Sequence, residues 1–264
     1  MEKEAKNRKP FISSMLEIAS AALISCTLLA EFGQLGVVFE LASHFAFQYA
    51  LGLGVILVLL LVRKQYIPAA FSLAALLFNV WLMSWAFLPS EGSSVASSSD
   101  ISIMQYNVNS KNKNRQELLT FLKKEDVDII CIEELSPVLD DYLKENLPAS
   151  YTCRLTVPRN DNFGIGLYSK IKIEDLKPVS YTKAGIPSIE GVFNMDNEAV
   201  KLICTHTLPP ISNATARNRN QHLETIINRS KSTPGSLLLA GDLNTTPYSF
   251  YFKKLLADSG LKDT

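Results

Sequence analysis

Three long apolar stretches open the chain, and shorter strand-like and helix-like patterns follow. Residues 11–30 carry one acid, Glu17; residues 41–62 carry no formal charge beside the titratable His44; residues 66–88 carry none. Each is long enough to cross a bilayer core of ~30 Å as a helix, which takes ~20 residues. Three in succession argue against soluble core helices. The first exceeds a usual signal h-region and lacks a clean small-x-small site after it, so it reads as retained. Residues 89–100, rich in Ser and carrying Gly92, read as a flexible tether without a core. From Ile101 the pattern predicts a buried strand over 101–106 and a helix over 114–124 with Leu118, Leu119 and Leu122 on one face. A buried strand over 128–132 follows, then a helix over 136–146 opened by Ser136-Pro137 as N-cap and first turn. Strands are expected near 151–157, 163–169, 187–194 and 199–205, with a hairpin turn at Asp196-Asn197. A helix over 214–229, a buried strand over 236–240 and a helix over 249–257 close the series.

This order predicts an α/β (α+β) domain of mixed sheets flanked by helices. Three regions result: a membrane anchor of three transmembrane helices over 1–88, a linker over 89–100, and a second domain over 101–264.

Charge adds orientation. Lys3, Lys6, Arg8 and Lys9 precede the first apolar run, Arg63 and Lys64 separate the second from the third, and the loop between the first two has no Lys or Arg. Basic residues stay on the cytoplasmic side. The expectation is a multi-pass protein of the cell (inner) membrane with its C-terminal domain periplasmic or extracellular. Tyr66, Trp81 and Trp85 suit interfacial anchoring. Glu17, Glu40, His44, Gln48 and Asn79 are polar residues in or beside the spans, and helix packing or headgroup contact is the expectation for them. The whole chain balances 26 Lys+Arg against 26 Asp+Glu, so no global positive field draws in nucleic acid.

The chemistry lies at strand ends. Four apolar strands finish on polar residues: Asn107, Glu133-Glu134, His206, and Asp242-Leu243-Asn244 after Gly241. Ligand sites in α/β sheets collect at the carboxyl ends of strands. Glu134, Asp242 and an Asn amide oxygen are hard ligands suited to Mg²⁺ or Mn²⁺ rather than zinc. His206 can donate to a phosphate oxygen, and Arg219 can balance phosphate charge. Together they form an inventory for metal-assisted attack of water on a phosphate ester. Each also has a plain structural reading: Asp242-Leu243-Asn244 as a turn, Glu134 as a surface acid, His206 as a core histidine. Cys131, Cys153 and Cys204 fall within strands and Cys26 within an apolar run, in no zinc spacing.

The segments Met104-Gln-Tyr-Asn107, Asp128-Ile-Ile-Cys-Ile-Glu-Glu134, Asn162-Phe-Gly-Ile-Gly-Leu-Tyr-Ser169, Thr205-His-Thr-Leu-Pro-Pro210, Arg219-Asn220 and Gly241-Asp-Leu-Asn244 occur in that order. This set resembles the endonuclease/exonuclease/phosphatase family of metal-dependent phosphohydrolases, which includes DNase I-like nucleases, sphingomyelinases and inositol-polyphosphate phosphatases. The three-helix start resembles membrane-anchored bacterial members. The resemblance implies a four-layer sandwich of two mixed sheets between helices. It implies that Asn107 and Glu134 hold the metal and that His206 contacts the scissile phosphate. Asp242 would orient or deprotonate water, and Asn244 would stabilise the transition state.

One departure is expected to matter. The family's last motif, Ser-Asp-His, has no counterpart after Asn244, so the domain reads as C-terminally incomplete. His222 precedes Gly241-Asp242 and offers no replacement. The leading expectation is a membrane-tethered, divalent-metal-dependent phosphoester hydrolase acting outside the cytoplasm, on nucleic acid, phospholipid or sugar phosphate. The alternatives are a catalytically silent remnant, which the absent Ser-Asp-His motif favours for the chain as given and for which weak or undetectable phosphodiesterase activity is expected, and a membrane-anchored binding module.

Overall fold

The computed structural model describes residues 2–87, 101–196 and 198–263. The expected tether at 89–100 and Asn197 of the expected turn lie outside them, as do the side chains of the basic cluster at 3–9 and of Trp85.

Two long helices, α1 (Glu2–Ala30) and α4 (Tyr66–Phe87), contain apolar runs long enough to cross a membrane, at Phe11–Ala30 and Tyr66–Ser84. Between them lie a short 3₁₀ turn (Gly33–Leu35), α2 (Val37–Ser43) and α3 (Ala46–Val62). The straight helix expected over 41–62 is instead broken, and α2 meets α3 at 63°. The polar residues at the break account for this. The Ser43 hydroxyl turns back to donate to the Glu40 carbonyl at 2.7 Å, a local bond that competes with helix continuation. Glu40 and His44 take partners in the C-terminal domain, from which a straight helix would carry them away. By length and composition two of these helices are long and apolar enough to cross a membrane, or three if the bent pair counts as one.

Polar side chains join α1 to α4. Ser20 bonds Ser72 at 2.7 Å, the Asn79 amide donates to Thr27 at 2.9 Å, and Gln65 just before α4 donates to Glu17. Partners advance together along both chains, so the two helices run parallel. Glu17 and Asn79 thus serve helix packing, through interhelical bonds worth roughly 0.6–2 kcal/mol each. Outward positions such as Ile18, Val62 and Ile67 are apolar and exposed.

The C-terminal domain comprises β1 (Ile103–Asn107), α5 (Arg115–Glu125), β2 (Ile129–Glu133), α6 (Pro137–Asn146), β3 (Cys153–Val157) and β4 (Ile165–Ser169), then β5 (Glu174–Ser180), β6 (Pro187–Met195), β7 (Glu198–His206), α7 (Asn213–Ser232), β8 (Ser236–Asp242) and α8 (Phe250–Ser259). They build two four-stranded mixed sheets, β1-β2-β4-β3 and β5-β6-β7-β8. Each contains one parallel pair, β1 with β2 and β7 with β8, and is otherwise antiparallel. The strand β5 escapes the sequence pattern because it is a mostly exposed edge with few apolar residues.

Three apolar layers hold the sandwich. Leu118, Leu122, Leu139 and Leu143 of α5 and α6 cover one face of the first sheet through Ile130 and Ile132. Its other face, with Ile129 and Leu167, packs on Ile189, Phe193 and Leu202 of the second. Leu223, Ile226 and Ile227 of α7 join Leu255 of α8 over the far face. Within the central layer Cys131 of β2 and Cys204 of β7 form a disulfide with a Cα–Cα distance of 6.1 Å. The sequence marks both only as buried strand residues.

The two parallel pairs finish at the same place. Asn107 stands opposite Glu133 across β1 and β2, and His206 stands opposite Asp242 across β7 and β8. Gly241 permits the second pairing: it holds φ +151°, and a Cβ there would lie 1.9 Å from the Thr205 carbonyl oxygen.

Candidate active site

Each polar strand end is shaped by its own turn. After β1, the Asn107 side-chain oxygen accepts the Asn109 N–H at 3.0 Å, and the Asn109 side chain accepts that of Lys111 at 3.1 Å. These Asx turns coil the loop so that the Ser110 N–H donates to Glu134 Oε2 at 2.8 Å. After β2, Glu134 sits in the left-handed region at φ +61°. That conformation costs a non-glycine residue roughly 1–2 kcal/mol, and it turns the carboxylate back towards Asn107. The neighbouring segment is pinned by close backbone packing. Leu135 exchanges bonds with Gly164 and Arg159, and a Cβ on Gly164 would lie 1.9 Å from the Leu135 oxygen.

The centre of the site is the Asn107 amide nitrogen. It donates to Glu134 Oε1 at 3.1 Å and to Asp242 Oδ2 at 3.0 Å. Asp242 divides its two oxygens. Oδ1 accepts the Asn244 N–H at 2.9 Å and makes the turn, while Oδ2 faces Asn107 and lies 3.9 Å from His206 Nε2. The turn reading and the site reading of Asp242 therefore both hold, one for each oxygen. Asn244, at φ +47°, donates its amide to the Thr207 carbonyl at 2.7 Å.

The His206 side chain is buried, with its ring 5.3 Å from that of Phe163. Burial lowers its pKa, against the opposing pull of the Asp242 and Glu134 carboxylates. Its ordinary state at neutral pH is therefore the uncharged imidazole, with one N–H to donate.

Glu133 is a different kind of acid. It is fully buried, takes a 2.7 Å bond from the Gln105 amide, and burial pushes its pKa up to about 8, with Asp242 and Glu134 adding to the rise. A carboxyl in that state is a poor cation ligand at neutral pH, whereas Glu134 meets Asn107 directly.

Arg219, expected to balance phosphate charge, is wholly buried on α7. Its guanidinium donates to the Asn244 carbonyl at 3.0 Å and to the Asn220 side chain at 2.8 Å, and pairs with Glu40 of α2. Burial lowers its pKa to about 10, which leaves it cationic at neutral pH. His222 lies behind the site, its Nε2 2.8 Å from the Thr205 hydroxyl.

Sequence reasoning missed Ser110, gave Asn162 and Thr207 no role although both lie in the family-like segments, and expected only helix packing or headgroup contact of Glu40. Ser110 and Asn162 bond each other at 2.7 Å at the edge of the site. Asn162, in the stretch Asn162–Ser169, was legible as a candidate. Ser110 and Thr207 act through or on backbone groups, for which side-chain identity gives no signal.

Among the described residues no group of three His, Cys, Asp or Glu side chains is arranged to hold a metal ion. The strand-end set is two carboxylates joined by an amide. One amide nitrogen touches both, so two negative charges converge with hard oxygens. A divalent oxygen-seeking cation is the counter-charge that such a set fits.

A model of the Endonuclease/Exonuclease/phosphatase family matches residues 104–262, and the chain belongs to that family. Solved structures agree on the fold. Humanized D. rerio TDP2 aligns with TM-score 0.51 at 18% identity, over 63% of this chain and 69% of that one. Sphingomyelinase C from Streptomyces griseocarneus aligns with TM-score 0.51 at 18% identity, over 62% and 70%. A beta toxin variant from Staphylococcus aureus with bound magnesium ions aligns with TM-score 0.50 at 16% identity, over 62% and 72%. No curated protein matches the chain at a significant level.

Proposed function

We propose that the chain is a membrane-tethered, divalent-metal-dependent phosphoester hydrolase whose site faces away from the cytoplasm. The observation that carries this reading is the meeting of Glu134 and Asp242 at the Asn107 amide, with His206 Nε2 3.9 Å from Asp242, at the ends of two parallel strand pairs. In this reading Glu134, together with Asn107 through the side-chain oxygen that accepts the Asn109 N–H, would hold Mg²⁺ or Mn²⁺, and the magnesium named for the beta toxin relative supports a divalent ion. A bound divalent ion supplies Lewis-acid polarisation of a phosphoryl oxygen. His206 donates its N–H to the phosphate. Asp242, with Oδ1 fixed by the turn, uses Oδ2 to orient or deprotonate water. An amide nitrogen carries two N–H donors; one of Asn244 is spent on Thr207, and the second serves the negative charge that develops on the phosphorus oxygens.

Two observations support the outward orientation. The domain touches the anchor at its 33–46 end, through Gly33, Glu40 and His44, whereas the Arg63-Lys64 turn caps the far end of α3. The Cys131–Cys204 disulfide suits an oxidising compartment.

A second reading, a binding module without turnover, is favoured by the histidines. The chain has three, and His222 and His44 are bonded to Thr205 and Thr246 rather than placed beside Asp242. Purified full-length chain offered nucleic acid, phospholipid and sugar-phosphate esters, with Mg²⁺ and with chelator, separates the two. Metal-dependent product from one class supports the hydrolase and names its substrate. Metal binding without product from any class supports the module.

A further inference from the structure

Arg219 has the largest fully buried side chain among the described residues. One of its amino groups donates to the Asn244 carbonyl, its Nε bonds Asn220, and its guanidinium lies 5.2 Å from the centre of the Tyr251 ring. The other amino group meets the carboxylate of Glu40. Glu40 is itself 1% exposed and comes from the membrane anchor, not from the catalytic domain. The contact is not isolated. His44 Nδ1 lies 3.0 Å from the Thr246 hydroxyl, Tyr248 packs against Ala46, Ala50 and Met83, and Phe250 lies against Gly33. Alternate residues of the turn, Thr246, Tyr248 and Phe250, thus rest on the extramembrane end of the anchor.

Asn244 needs that support. Its left-handed backbone is held by three bonds: its N–H to Asp242, its side chain to Thr207, and its carbonyl to Arg219. A strained residue keeps its geometry only while its surroundings over-determine it. Arg219 can stay buried against that carbonyl only while a counter-charge is present, because an unpaired buried cation is strongly unfavourable.

We propose that Glu40 is a positioning residue of the site: it holds Arg219, Arg219 holds Asn244, and the anchor thereby completes the catalytic domain. The inference rests on the hydrolase reading for its kinetic consequence and on geometry alone for the pairing.

Both parts are tested on the full-length chain. Glu40→Gln should lower kcat roughly a hundredfold, the scale of a ~1 Å misplacement, while KM changes little and Mn²⁺ affinity at Asn107 and Glu134 is kept. Glu40→Asp should recover part of kcat. In a thermal double-mutant cycle, Glu40→Met alone should lower Tm by about 10 °C, and Glu40→Met with Arg219→Met should restore most of it, as removing a whole buried pair is far milder than removing half. If the wild-type chain turns over nothing but the Tm coupling is present, the hydrolase reading fails and the pairing stands. A Glu40→Gln chain with wild-type kcat, or additive Tm changes in the cycle, would overturn the inference.

Discussion

At the scale of single residues, the site combines side chains that each serve both backbone and pocket. Asp242 makes a turn with one oxygen and faces Asn107 with the other, so Asp242→Asn keeps the turn acceptor but loses the charge. Gly241 has no such freedom. Gly241→Ala would drive a Cβ into the Thr205 carbonyl, and a loss of about 3 kcal/mol or more is expected by the standard of strained, overpacked positions. Urea midpoints followed by circular dichroism, read beside the parent chain, measure the loss. His222 gives a pH signature. Burial lowers its pKa from 6.5 to about 4, so between those values the unfolded chain binds the proton and the folded chain does not. Stability is therefore full above about pH 6.5 and falls as pH drops towards 4, by up to roughly 3 kcal/mol. His222→Gln should flatten that part of the urea-midpoint profile; an unchanged slope would assign the acid sensitivity elsewhere.

Among the elements, what could be read from the sequence follows the range of the interaction that decides it. The strands ending on Asn107, Glu133 and His206, and the helix opened by Ser136, were legible because alternation and capping are local signals. Ser136 does cap α6, accepting the Leu139 N–H at 3.3 Å, and Ser136→Ala should cost about 1 kcal/mol in the same unfolding assay. The strand β5 was not legible, since an exposed edge needs no apolar face. The break between α2 and α3 was hidden in a mostly apolar run, because beside the local Ser43 bond its cause lies in Arg219 and Thr246, far along the chain. The disulfide was hidden likewise: Cys131 and Cys204 are 73 residues apart and meet only when the sheets pack. Closing a loop of that length is worth about 4 kcal/mol in the chain-entropy account. Paired Cys131→Ala and Cys204→Ala should lower unfolding stability on that scale, and thiol counting under denaturing, non-reducing conditions should find only Cys26 and Cys153 reactive in the parent chain.

On the scale of the whole molecule, the apolar N-terminal helices and the candidate site share one surface. The strand-end motifs made the candidate site readable residue by residue, yet its rear wall, from Glu40 through Arg219 to Asn244, joins parts of the chain that no local pattern connects. The proposed orientation is tested on the same layout. A membrane-impermeant thiol reagent applied to intact cells should label Lys172→Cys, on an exposed domain position, and spare Lys64→Cys, in a background with Cys26 and Cys153 replaced by Ser. Labelling of position 64 instead would reverse the topology. The central claim, that Asn107, Glu134, His206 and Asp242 form a metal-dependent hydrolytic site, is tested most directly by Mg²⁺-dependent cleavage of a simple phosphodiester by the purified full-length chain beside its Asp242→Ala variant. The expected result is turnover that chelator abolishes and that Asp242→Ala lowers by roughly 10²–10⁴-fold. Turnover indifferent to chelator, or equal in the variant, would contradict it.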